Sequence, residues 1–246
     1  MAQYVSDISG GNPLTNSGGG SASLVSSPVV IGAQSLAATI NGTAYVGDYA
    51  AVADASVTTA AGTDFEALTL TKLAAITNAM IVFQVAGGSR FVTANVVRGN
   101  SFIHLGTDVA EVNPSLGFSI SDAEWYWLRL RKRAATLYAQ CWKFGDPEPA
   151  GEAASIALSG TFTASSWLWG ASNTSGGGSG TWYLNWISVG TAGDPAPRAK
   201  KTDLYVKDGG LWKPAQDLQV RDGGIWKPVQ QQHVRDGGTW KKVYGS

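Results

Sequence analysis

The chain has 246 residues with 18 basic and 18 acidic side chains, so its formal net charge is zero. Only 15% of the residues are charged and 31 are glycines, a composition that favours an all-β protein with many turns over a helical one. Residues 1–124 hold three Lys/Arg against nine Asp/Glu, which argues against a nucleic-acid partner, since that class usually carries a basic patch on its folded domain.

Cysteine content and hydropathy exclude further classes. Cys141 is the single cysteine, so the sequence predicts no disulfide framework, no metal site and no cofactor. The most apolar stretch, residues 73–86, is interrupted by polar residues and too short to span a bilayer, so we expect no membrane insertion. The first residues lack the features of a signal peptide, which predicts synthesis and folding in the host cytoplasm.

Three segments follow along the chain. Residues 1–28 are rich in Gly, Ser and Asn, and we predict an extended arm that becomes ordered only against another surface. Residues 29–197 alternate short apolar runs with turn residues, which predicts an antiparallel sandwich or barrel. The runs are Val29–Ile31, Phe65–Leu70, Met80–Val85, Phe91–Val97, Trp125–Arg131, Leu137–Phe144, Ser166–Trp169 and Thr181–Val189. A short helix is expected only within residues 70–80.

Residues 198–246 follow a proline-containing hinge at 194–198 and repeat one pattern. Val-Lys/Arg-Asp-Gly-Gly-x-Trp-Lys occurs three times with a period of 14 residues and predicts three tandem β-hairpins. Two turn registers stay open: Asp-Gly as a two-residue turn, or Asp-Gly-Gly as a bulged one. An isolated hairpin is marginally stable, so Trp212, Trp226 and Trp240 are predicted to pack in an assembly of several chains, expected to be a homotrimer. The alternative is that the repeats close one end of the neighbouring domain.

A hairpin within residues 125–144 offers the candidate ligand-binding face. If Ala134-Ala135 is its turn, strand alternation separates an apolar core face from an outer face of aromatic, guanidinium and amide groups. The residues of that outer face are Trp127, Arg129, Arg131, Tyr138, Gln140 and Trp142. Flat rings and fork donors suit a saccharide. The alternative is that this face is plain outer surface or is covered by another subunit.

Catalytic motifs are not recognised. The sequence has no Glu-x-Asp-x-x-Glu strand, and its two histidines leave only His104 for a Ser/His/Asp arrangement. His104 lies in a strand-like run, where an ordinary structural histidine is the simpler interpretation. We therefore predict no catalytic residues and no enzymatic activity.

Three stretches carry a resemblance to a known family. They are Trp125-Tyr-Trp-Leu-Arg-Leu-Arg131, then Leu137-Tyr-Ala-Gln-Cys-Trp-Lys143 with Glu148-Pro149, and then Trp182-Tyr-Leu-Asn-Trp-Ile-Ser-Val-Gly190. They resemble the back half of concanavalin A-like (laminin G-like) jelly rolls of phage tail and other virion proteins. The family often places a tryptophan soon after Glu-Pro, and here Ala150 follows instead. The C-terminal repeats resemble short repeats at the ends of phage tail proteins.

The resemblance implies an all-β fold, with an antiparallel two-sheet jelly roll at 29–197 followed by the three hairpin repeats. It also implies residence on the virion. The expected function is a tail-fibre or tail-tip component that contacts a host-surface glycan or other virion structural proteins. The alternative is a capsid-attached head fibre or decoration protein without receptor binding.

Overall fold

The computed structural model divides the chain into two compact units, residues 1–199 and residues 200–246. It describes residues 3–6, 8, 14–16, 21–31, 34–42, 49–52, 63–74, 79–87, 89–122, 124–173, 178–199, 205–208, 211–214, 219–222, 225–228, 232–236 and 239–244. No helix among them is long and apolar enough to cross a membrane.

The first unit consists of strands that are connected in chain order. They are β1 (Gln3–Ser6), β2 (Leu14–Asn16), β3 (Ser21–Val25), β4 (Ser35–Gly42), β5 (Tyr49–Val52), β6 (Phe65–Ala74), β7 (Ala79–Gly87), β8 (Arg90–Val97), β9 (Ile103–Thr107), β10 (Glu111–Val112), β11 (Tyr126–Arg133), β12 (Thr136–Lys143), β13 (Ala154–Ala157), β14 (Ser166–Asn173) and β15 (Gly178–Thr191).

These strands form two antiparallel sheets. The first sheet has the order β13-β12-β11-β6-β15-β4-β3, with β1 also paired to β15. The second sheet has the order β10-β9-β8-β7-β14-β5-β2. The predicted all-β sandwich of two antiparallel sheets is therefore confirmed.

Strand alternation determines which side chains enter the core between the sheets. In β8, Val92, Ala94 and Val96 are buried in the main core cluster, so Thr93 and Asn95 lie on the outer face of the second sheet. In β11, Leu128 and Leu130 enter the same cluster, so Arg129 and Arg131 lie on the outer face of the first sheet. Each sheet thus has one outer face on which a functional site can lie.

The predicted arm of residues 1–28 is not separate from the sandwich. β1 pairs with β15, β2 with β5 and β3 with β4, and the side chain of Ile8 is fully buried in the core. Its scattered apolar residues were too sparse to predict strands, because an edge strand needs only one anchoring side chain when its backbone pairs with a sheet. The predicted ordering against another surface is therefore replaced by ordering within the same unit.

The expected short helix within residues 70–80 is also wrong where the chain is described. β6 continues to Ala74 and β7 begins at Ala79. β6 is buried on both faces along most of its length, and such a strand has an apolar run without alternation. The sequence pattern was ambiguous for that reason.

The second unit contains three hairpins, as predicted: β16 (Tyr205–Asp208) with β17 (Leu211–Pro214), β18 (Gln219–Asp222) with β19 (Ile225–Pro228), and β20 (Gln232–Asp236) with β21 (Thr239–Tyr244). Asp208 pairs with Leu211, so the two residues between the strands are Gly209-Gly210. Neither register considered from the sequence has this Gly-Gly turn. The register also puts a basic residue opposite each tryptophan, in the pairs Lys207 with Trp212, Arg221 with Trp226 and Arg235 with Trp240. The packing predicted for these tryptophans lies outside the described side chains.

The burial of Ile8 gives a direct test of the integrated N-terminal segment. We expect Ile8→Ala to lower the free energy of unfolding by about 2–5 kcal/mol, the usual cost of truncating a large core side chain. Val109 is 70% exposed, so Val109→Ala serves as a control with little effect. Chemical denaturation measures both variants, and an unchanged Ile8→Ala stability would restore the arm interpretation.

Candidate functional site

The β11–β12 hairpin has the predicted register. Trp127 lies opposite Trp142, Arg129 opposite Gln140 and Arg131 opposite Tyr138. Ala134 adopts a positive φ of 48° in the two-residue turn. The six predicted ligand-binding residues therefore share the outer face of the first sheet, and Leu128, Leu130, Ala139 and Cys141 enter the core.

This outer face is covered by the chain itself. Four of its six residues are buried, with exposures of 9% for Trp127, 3% for Arg129, 7% for Gln140 and 5% for Trp142. Gln140 Nε2 donates to the carbonyl of Gly151 at 3.1 Å. We call residues 145–152 the cover loop and residues 194–199 the strap, because both contact this face. Neither the bare surface nor the subunit interface considered from the sequence describes this arrangement.

An aromatic cluster lies beneath the cover. It contains Leu68, Leu70, Trp125, Trp127, Trp142, Trp186 and Ala196. The rings of Trp127 and Trp142 stack at 6.2 Å between centroids, and the guanidinium of Arg129 lies 5.7 Å from the Trp142 ring. Ala196 of the strap is 1% exposed, so the predicted hinge is packed onto the sheet and not free. The cluster acts as a second hydrophobic core outside the sandwich.

A closed ring of six charged groups fixes the cover loop and the strap to the sheet. Each carboxylate contacts two guanidiniums and each guanidinium contacts two carboxylates; in ring order they are Glu66, Arg198, Glu148, Arg129, Glu152 and Arg131. The distance from Arg198 Nη1 to Glu66 Oε1 is 2.6 Å, and that from Arg131 Nη1 to Glu152 Oε1 is 2.8 Å. The guanidiniums that were expected to bind a ligand are therefore neutralised internally.

Glu66 is the buried member of the ring. It lies between Arg131 on β11 and Gly190 on β15, and its side chain has no exposed surface. A Cβ at position 190 would lie 2.5 Å from the carbonyl oxygens of Asp194 and Pro195, so glycine is needed for the strap to pass. Burial opposes ionisation of the Glu66 carboxyl, but the Arg198 and Arg131 guanidiniums outweigh it and hold its pKa below the ordinary value.

The lowered pKa of Glu66 predicts how stability changes with pH. A carboxyl group with a depressed folded-state pKa contributes stability above its unfolded pKa, about 4.3 for glutamate, and loses it as the pH falls through the folded value. We expect Glu66→Gln to cost about 3–5 kcal/mol near neutral pH, because the arginines lose a buried partner. Denaturation curves at decreasing pH should show the two proteins converging. A constant difference between them across that range would contradict this role for Glu66.

The outer face of the second sheet carries a different set of residues. Register pairs place Leu168, Gln84, Thr93, Gly106 and Glu111 in one row that crosses five strands from β14 to β10. Four strand spacings make this row about 19 Å long. In the neighbouring row, Asn95 of β8 lies opposite His104 of β9. We call Gln84, Thr93, Asn95, His104 and Asn113 the polar strip.

His104 is held in a defined orientation within the strip. Its Nδ1 lies 2.7 Å from Oδ1 of Asn113. An amide oxygen only accepts, so Nδ1 donates and the neutral ring presents Nε2 as an acceptor. A Cβ at Gly106 would lie 2.8 Å from Nε2, so the glycine provides the space for this ring. The side chain is 25% exposed, and Oε2 of Glu111 is 3.7 Å from Nε2.

Two polar groups of the strip have no hydrogen-bond partner. Thr93 and Asn95 are each 8% exposed, and Thr93 Oγ1 and Asn95 Oδ1 are buried without a partner in the described part of the chain. Such groups are costly in a folded protein unless a ligand or an ordered water satisfies them. The sequence analysis missed the strip, because its members are single polar residues on separate strands and only the register brings them together.

Comparisons with known proteins identify the class of fold. No protein-family model and no curated protein matches the sequence. Among solved structures, an endo-β-1,4-glucuronan lyase from the fungus Trichoderma reesei superposes with a TM-score of 0.54 at 14% identity, over 76% of this chain and 94% of that one. A Bacillus licheniformis β-glucanase gives 0.48 at 9% identity, over 77% and 98%. The protein has a concanavalin A-like jelly-roll fold, as the resemblance implied.

The likeness corrects one prediction. The predicted lack of enzymatic activity is contradicted, because the solved structures that share the fold are polysaccharide lyases and glucanases. The sequence argument tested only paired carboxylates and a Ser/His/Asp arrangement, both of which serve hydrolysis. A lyase cleaves by a different reaction, so the missing motifs did not exclude it. At these low identities the shared feature is the fold.

Proposed function

We propose that this chain is a structural component of a phage particle, a tail-fibre or tail-tip protein whose jelly roll contacts a polysaccharide on the host surface. The polar strip is the observation that carries the glycan contact. It combines an oriented imidazole with two unpartnered polar groups on an outer sheet face. The fold supports the same contact, since an endo-β-1,4-glucuronan lyase shares it. The C-terminal repeats, which resemble those of phage tail proteins, support residence on the virion.

The strip is favoured over the hairpin face predicted from the sequence. Arg129 is bound on both sides by carboxylates of the cover loop, and Trp142 lies beneath that loop. A ligand would have to displace the cover loop and break the ion-pair ring before it reached these groups. The strip needs no such displacement of ion pairs.

The burial of the hairpin face also favours a second candidate function. A capsid-attached head fibre or decoration protein would need the same stable jelly roll and no receptor site. The two functions differ in whether the isolated protein binds host polysaccharide.

Polysaccharide binding tests the site. We expect His104→Ala to weaken binding to purified host-surface polysaccharide by about tenfold or more, because a ligand hydroxyl loses the Nε2 acceptor. Tyr138→Phe, on the half-buried edge of the hairpin face, should bind normally. The length of the polysaccharide is measured in parallel, so that cleavage is detected beside binding. Loss of binding in Tyr138→Phe alone would return the site to the hairpin face, and no binding by the unmodified protein would favour the decoration role.

The homotrimer is the second expectation from this proposal. Isolated two-stranded hairpins are marginally stable, so three of them in tandem need partners. Light scattering of the full chain should give three times the mass of one chain. We expect the triple variant Trp212→Ala, Trp226→Ala and Trp240→Ala to dissociate, while the jelly roll keeps its thermal transition. A monomeric mass for the unmodified protein would contradict the assembly role of the repeats.

A further inference from the structure

The charges around the polar strip restrict the class of saccharide that it can bind. The basic residues at the two ends of β8 are both paired: Arg90 Nε lies 3.3 Å from Asp108, and Arg98 Nη2 lies 2.8 Å from Asp122. At the end of the long row, Glu111 is 67% exposed and lies beside His104. In the described part of the second sheet, the free charge next to the strip is therefore negative.

The sequence extends this pattern beyond the described residues. Residues 43–62, which flank β5, contain Asp48 and Asp54 and no lysine or arginine. Residues 75–78, 88 and 174–177, which adjoin β7, β8 and β14, contain no basic residue either. None of these connections can bring a cation to the strip.

The unpartnered groups also have a defined chemical requirement. Asn95 Oδ1 only accepts, and Thr93 Oγ1 both donates and accepts. His104 Nε2 adds an acceptor in the neutral ring. A sugar hydroxyl can donate to each of these atoms, whereas a carboxylate cannot donate to any of them. An anionic sugar would also meet Glu111 without a compensating cation, which disfavours its binding.

An exposed aromatic ring completes the surface. Phe91 is 40% exposed, one of two large apolar side chains with such exposure among the described residues. It lies two residues before Thr93 on β8, so strand alternation puts it on the same face. A flat ring beside hydrogen-bonding groups suits the apolar face of a pyranose.

We propose that the polar strip binds an uncharged, hydroxyl-rich saccharide and discriminates against acidic ones. This inference rests on the proposed glycan contact and names the ligand class of that same site. It separates this chain from its structural neighbours, one of which is titled a glucuronan lyase and so acts on an acidic polymer. Thr93 and Asn95 are the residues that select hydroxyl groups.

The test uses the full chain with soluble neutral glucans, galactans and mannans, and with polygalacturonate and alginate as acidic probes. We expect binding to at least one neutral polymer, at least tenfold weaker binding to the acidic ones, and no loss of affinity from low to high salt. Thr93→Val should weaken neutral-polymer binding about tenfold, because one hydrogen bond is lost. Its melting temperature should stay equal or rise, since the hydroxyl has no partner within the protein.

Thr69→Val is the matched control on the other sheet. Thr69 Oγ1 donates to the carbonyl of Trp186 at 3.1 Å in a buried position, so this variant should melt lower and bind normally. Equal binding of neutral and acidic polymers overturns the neutral class and leaves the proposed glycan contact standing. Binding to none of the polymers overturns both. A Thr93→Val protein that melts lower and binds normally assigns the hydroxyl to packing and overturns the inference.

Discussion

The buried carboxylate of Glu66 determines how the first sheet is covered. A carboxylate with no exposed surface is strongly destabilising unless it is paired and hydrogen-bonded. Arg131 comes from the neighbouring strand, but Arg198 reaches Glu66 only if the strap crosses β15 at Gly190. Arg198 in turn binds Glu148, which holds the cover loop over the tryptophan cluster. Two irregular segments are thus positioned by one buried charge and the ring that neutralises it.

This arrangement separates structural from functional surface. Every guanidinium of the ring is committed to two carboxylates, so the first sheet uses its cations for packing. The outer face of the second sheet keeps an oriented imidazole and unpartnered polar groups, without a ring of ion pairs above them. The covered face is therefore expected to govern stability and its pH dependence, and the polar strip to govern recognition.

The sequence predicted local pairing well and long-range contacts poorly, for physical reasons. The β11–β12 register followed from a two-residue turn and strict alternation, both of which are local. The cover over that hairpin depends on Glu66 and Arg198, which are separated by 132 residues, and nothing in either neighbourhood indicates the contact. The N-terminal strands were missed because Ile8 is their one described core anchor, and backbone pairing supplies the rest. The polar strip requires the register of five strands and is invisible in any single one.

The same limit explains why function could not be excluded by motif. A catalytic motif is visible in sequence when its residues share one strand or turn, as in Glu-x-Asp-x-x-Glu. In an antiparallel sheet, a site can instead run across the strands, with one residue from each. Gln84, Thr93 and His104 come from three consecutive strands, and their separation in sequence reflects only the lengths of the connecting turns. For this fold, absence of a linear motif therefore says little about the outer face, and the chemistry of the transverse rows is the better guide to what the protein binds.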